Sequence, residues 1–170
     1  LYKTKRQPKQ RTRRMKRLLS ILLLALTSLT VAAQHETDFA LHFMKTYAQG
    51  TSSTCKTVSP TMMSAMLQSD AINKDKDTES LLRQIRSVRI ISNDKISETQ
   101  TLHEKAEALI KANKGRYQLY DTFDGKNLYT RKRGDTFVEV VLITKQEGHL
   151  YIIDLTGSMT EAFIKEITNS

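Results

Sequence analysis

The sequence predicts an α+β domain, with a C-terminal four-stranded antiparallel meander packed with helices, behind a cleaved N-terminal signal peptide. Three observations predict it. Two apolar, β-branched runs, Phe137–Lys145 and His149–Leu155, meet at a Gln146-Glu147-Gly148 turn, which is a hairpin signal. Two further turns, Asp124-Gly125 and Arg133-Gly134, precede it at strand-length spacing. Segments of helical periodicity lie mostly before these strands, with one after them, a segregation that favours α+β over alternating α/β.

The hairpin is apolar on both faces. Period 2 puts Val138, Val140 and Leu142 on one side and Val141 and Ile143 on the other, while Tyr151, Ile153 and Leu155 oppose Leu150 and Ile152. A ribbon of this kind belongs at a sheet centre with both sides covered. Tyr117–Phe123 and Lys126–Lys132 supply the other two strands.

Upstream, Thr37 is placed to cap a helix carrying Phe39, Phe43 and Tyr47, stopped by Gly50. Thr54–Val58 reads as a short strand. Ser59-Pro60 starts a second helix, since Ser caps and Pro lacks only an N–H that has no partner there; Met63, Met66 and Leu67 form its inward stripe. Asn73–Asp77 is a solvated linker. Thr78 restarts a short helix with Leu81, Leu82 and Ile85 inward, and Ser87–Ser92 alternates as a strand. Ser97 and Gln100 make a capping box for a helix to Asn113, with Leu102, Ala106, Leu109 and Ile110 on one stripe and Gly115 at the left-handed stop. Ser158 and Glu161 make another box for a last helix with Phe163, Ile164 and Ile167 inward.

The formal charge of +9 is not a nucleic-acid signal. Nine of the 27 basic residues lie in the first 17 positions, leaving 18 basic against 18 acidic side chains in the remainder. A phosphate-binding domain keeps its excess charge in the folded part. Residues 1–33 read instead as a basic lead plus signal peptide: Met15-Lys16-Arg17, an apolar Leu18–Leu29, and Val31-Ala32-Ala33 before Gln34. The apolar stretch is shorter than the roughly 20 residues of a membrane span. Met15 is a candidate start, and residues 34–170 are expected to form one domain with no transmembrane helix. Cys55 is the only cysteine, which excludes an internal disulfide and suits a small buried hydrophobe.

The segments VSPTMMSAM (58–66), LLRQIRSVRII (81–91) and YTRKRGDTFVEVVLITKQEGHLYIIDLTGSM (129–159) resemble the domain-of-unknown-function 4252 family, the last most of all, with the likeness running over about residues 37–167. The resemblance implies a small exported envelope protein of Gram-negative bacteria with no assigned reaction. Genes of that family are sometimes neighbours of extracytoplasmic sigma-factor genes, which implies a part in envelope stress.

No catalytic constellation stands out, and no catalytic, cofactor-binding or metal-binding residue is assigned. Ser53 and Lys56 match Ser-x-x-Lys, but a strand separates what that chemistry needs on one helical turn. Asn73, Asp75 and Asp77 begin like a calcium loop, yet Thr78 stands where Gly is needed and Gln84 where Glu is. Met62, Met63 and Met66 are a thioether set for Cu(I), though core filling is the ordinary use. His35, His42, His103 and His149 lack zinc-site spacing and suit the surface. Lys126, Arg131, Lys132 and Arg133 read as a solvated edge face, with an anionic envelope ligand as the alternative. Asp154 interrupts an apolar run. Its ordinary place is a strand end facing water or capping a turn; the sharper reading is a half-buried carboxyl with a raised pKa. The expected function is a non-catalytic exported protein that binds another envelope component or serves stress handling. The alternative is a periplasmic hydrolase whose site, including Asp154 or a histidine, assembles only in three dimensions.

Overall fold

A computed structural model describes residues 37–69, 76–123 and 125–168. The proposed leader, His35, Asn73, Asp75 and Asp124 lie outside the described residues. The elements in chain order are α1 (Phe39–Tyr47), β1 (Ser53–Val58), α2 (Pro60–Leu67), α3 (Lys76–Leu82), β2 (Ile85–Asn93), α4 (Ile96–Ala112), β3 (Gln118–Phe123), β4 (Lys126–Arg133), β5 (Thr136–Gln146), β6 (His149–Met159) and α5 (Glu161–Thr168).

The fold class is α+β, but the sheet has six strands rather than four, in the order β1-β2-β6-β5-β4-β3, all neighbours antiparallel. The meander β3–β6 is as expected. The additional strands come from the helical half: β1 pairs with β2, and β2 adds to the free edge of β6, with Arg89 opposite Asp154 and Ile91 opposite Ile152. The hairpin β5–β6 is thus central, which explains its two apolar faces. Its loop is Glu147-Gly148 between the paired Gln146 and His149. Both loop residues have positive φ (51° and 82°), the mirror-image turn whose twist matches the strands.

One face of the sheet is covered by α1 and α4. Phe39, Ala40 and Phe43 from α1, and Leu102, Ala106, Leu109 and Ile110 from α4, close over Ile91, Val141, Ile143, Leu150 and Ile152. Fully burying each phenylalanine contributes roughly 1.5–3 kcal/mol. Half-buried Cys55 packs against this layer. On the other face Phe163 and Ile164 of α5 cover Leu128, Phe137, Val140 and Met159, with Leu81 of α3 beside them.

Several local expectations are corrected. The cap of α1 is Asp38, not Thr37: its carboxylate accepts the Leu41 N–H. Ser59 does cap α2 and Pro60 follows it, but Met66 is exposed and only Met63 is buried there. Ile85 opens β2 instead of closing α3. The Ser97–Gln100 box does not form, since the N-cap of α4 is Lys95, two residues earlier, leaving Ser97 inside the first turn. Gly115 is not left-handed; α4 ends at Ala112, with Asn113 as its C-cap. β6 runs on to Met159, so the cap of α5 passes from Ser158 to Thr160, whose hydroxyl accepts the Phe163 N–H.

Candidate functional site

The residues that best merit attention are two carboxylates on the central strands. Glu139 on β5 and Asp154 on β6 point to the face covered by α1, offset by two residues in the ladder: Val141 opposes Asp154 and Glu139 opposes Thr156. They are 0% and 1% exposed. A buried carboxylate needs donors, and here the donors are the free N–H groups at the start of a helix.

Three of those N–H groups go to three different carboxylates. Phe39 donates to Glu139 Oε1 at 2.6 Å, Ala40 to Asp154 Oδ2 at 2.8 Å, and Leu41 to Asp38 Oδ1 at 2.9 Å. The positive end of the α1 dipole therefore rests on negative charge from two strands and from its own cap. Three guanidinium groups accompany them. Arg131 of β4 donates from Nε to Glu139 Oε2 at 2.7 Å, Arg116 lies 3.7 Å from the same oxygen, and Arg89 of β2 lies 3.3 Å from Asp38. Tyr117 completes the shell by donating its hydroxyl to Glu139 Oε1 at 3.0 Å. Burial, with Glu139 beside it, pushes the Tyr117 phenol well above its ordinary value.

Glu139 is saturated with donors, whereas Asp154 is not. Oδ1 of Asp154 is buried with no hydrogen-bond partner, and Nε and Nη1 of Arg89, the residue opposite it across the ladder, are likewise without one. Burial, then the neighbouring Glu139 charge, pushes the Asp154 carboxyl well above the usual carboxylate range. The sharper sequence reading of Asp154 is therefore the one realised, and more strongly than half-burial; the strand-end, water-facing placement is overturned because α1 lies across the strand. Glu139 escaped notice, although it interrupts Phe137–Val141 as Asp154 interrupts Tyr151–Leu155.

The other sequence candidates do not join this group. Ser53 and Lys56 sit at opposite-parity positions of β1, and the Ser53 hydroxyl is bonded to Thr51. His42 is exposed and His103 half-buried on α4, where burial lowers its pKa. His149 is half-buried, not superficial: Nδ1 is 2.8 Å from the Asn93 carbonyl. It is five residues from Asp154 along β6, about 17 Å at strand rise. The basic patch divides. Arg131 turns inward to Glu139, while Lys132 is exposed, over the Phe137 ring and 4.0 Å from Glu161. Among the described residues no group of three or more His, Cys, Asp or Glu side chains is arranged to hold a metal ion. Nor is any helix among them long and apolar enough to cross a membrane.

A second feature lies on the opposite face. Leu128, Val140, Leu142, Ile153, Leu155 and Ile167 line a cavity of about 180 Å³ beside α5. All six are aliphatic. Ile90, paired with Ile153 across β2–β6, extends the apolar surface and is 38% exposed.

Fold and site together define an α+β protein with a six-stranded antiparallel sheet, sealed on one face over a buried charge cluster and partly open and apolar on the other. The chain belongs to the family described as Domain of unknown function (DUF4252), which matches residues 47–167. Glu139 and Asp154 fall within the match, and most of α1 precedes it. No curated protein and no solved structure matches the chain.

Proposed function

We propose that this chain is an exported, non-catalytic binding module of the Gram-negative envelope, taking an apolar group of another envelope component against the open sheet face. The observation that carries the reading is the aliphatic cavity lined by Leu142, Ile153 and Leu155. At about 180 Å³ it is smaller than the roughly 300–1,000 Å³ of small-molecule pockets. It suits one inserted side chain or the end of an acyl chain rather than a whole metabolite. Export is supported by the apolar stretch Leu18–Leu29 ahead of Val31-Ala32-Ala33. The hydrolase alternative has less support, since Glu139 and Asp154 are enclosed by α1 and no substrate reaches them.

A photo-crosslinking residue at Ile153 in the full chain, expressed in a Gram-negative cell, tests this. The expected result is an adduct formed at Ile153 and not at the exposed Leu119, on a chain processed before Gln34. Its mass separates lipid from protein, and Ile153→Glu in a second copy competes poorly for it. Equal adducts at both positions, or none, would overturn the reading.

A further inference from the structure

We propose that helix α1 is latched to the sheet by a proton on Asp154, and that losing this proton releases the start of the helix. The geometry supplies the argument. Asp154 Oδ2 accepts the Ala40 N–H, but Oδ1 is buried without a donor. An ionised carboxylate with a bare buried oxygen is costly, and a proton on that oxygen removes the charge. The cation directly opposite, Arg89, is placed 3.3 Å from Asp38 instead.

The groups that bear on Asp154 come from every neighbouring element. Glu139 on β5 and Asp38 at the α1 cap both oppose its ionisation; the Ala40 amide and Arg89 on β2 favour it. Tyr117, with Arg116 beside it, stands over Glu139, and Arg131 on β4 binds the far side of Glu139. Ionised Asp154 would draw Arg89 from Asp38 or remain uncompensated, and either outcome loosens the α1 start. That end of α1 carries Phe39, stacked on Phe43 and edge-on to Tyr117. Release therefore uncovers aromatic surface above Ile91 and Ile152.

The sign follows from linkage. The folded carboxyl holds its proton above the ordinary value, so the latch is complete below that value and is lost as pH rises through the folded one. Within that window the opening constant of α1 rises up to about tenfold per pH unit.

The test uses the full chain labelled with carboxyl ¹³C-aspartate, followed from about pH 4 to about pH 9. Hydrogen-exchange protection of the Phe39, Ala40 and Leu41 amides, corrected for intrinsic rate, is read in parallel. The expected result is that Asp154 titrates well above its ordinary value, and that protection falls from that ordinary value upward and levels off at the Asp154 midpoint. In Asp154→Asn, which keeps an acceptor for Ala40, protection is expected to be flat with pH. In Glu139→Gln the Asp154 midpoint and the pH at which protection levels off are expected to move down together. Titration of Asp154 at its ordinary value, or protection that ignores its midpoint, would overturn the proposal.

Discussion

Glu139 Oε1 accepts the backbone N–H of Phe39 at 2.6 Å, across 100 positions of chain. A carboxylate in the middle of the sheet thus does the work usually left to a capping residue, and it is held in place by Arg131 and Tyr117. Removing it leaves a guanidinium, a hydroxyl and an amide without their acceptor in a site that excludes water. Glu139→Ala is expected to cost about 3–5 kcal/mol, as does breaking a buried pair from one side. Glu139→Gln keeps one acceptor and is expected to cost less. Urea unfolding with an unchanged m-value checks both.

How much of this was legible in the sequence can be read from the same residues. The apolar runs around Glu139 and Asp154 announced two central strands, and both are central. Their carboxylates were legible only as interruptions, because the partners that explain them lie 100 and 114 residues away. Lys126, Arg131, Lys132 and Arg133 read together as one solvated face, because nothing local says that Arg131 turns inward to Glu139. β1 and β2 read as strands, yet the pairing of β1 with β2 and of β2 with β6 is non-local. The capping boxes failed for local reasons: β6 continued four residues beyond Leu155 and moved the cap of α5 with it, while α4 began ahead of Ser97, behind Lys95.

Asn93 closes the other end of the sheet. It is 2% exposed; its Oδ1 accepts the Leu150 N–H at 2.6 Å, and its amide donates to the Lys95 carbonyl and Thr99 hydroxyl. The side chain therefore ties β2, the start of α4 and β6 together. Asn93→Ala orphans a buried N–H and is expected to cost about 2–4 kcal/mol. Asn93→Asp is expected to cost a comparable amount, because the amide donors are lost as well. Thermal unfolding of both variants against the parent checks this.

Gly157 is required by space. A Cβ there would meet the Gln84 carbonyl oxygen at 2.0 Å, which is backbone that donates no room, and Ser158 N–H bonds that same oxygen at 2.9 Å. Gly157→Ala must part β6 from the turn entering β2. The expected loss is about 2 kcal/mol or more, as for overpacking in a tight core. Gly115→Ala meets nothing within 4 Å and is expected to be near neutral. Melting temperatures of the two variants, measured side by side, distinguish a local clash from a general intolerance of glycine replacement.

Tyr120 on β3 donates its hydroxyl to Glu161 at the start of α5, at 2.6 Å. The hydrogen bond to that carboxylate pushes the phenol from its ordinary value of 10.0 up to about 12. Between those values the folded chain keeps a proton that the unfolded chain has lost. The contact therefore stabilises fully below about pH 10, and its contribution disappears as pH rises through about 12. Because the pair is solvent-accessible, screening keeps the effect on stability small, and the titration itself is the better readout. Ring ¹³C resonances of Tyr120 are expected to titrate near pH 12 in the parent and closer to 10 in Glu161→Gln. The same substitution is expected to leave the unfolding midpoint at neutral pH almost unchanged. A large loss there would mean that Glu161 anchors α5 through more than this one hydroxyl.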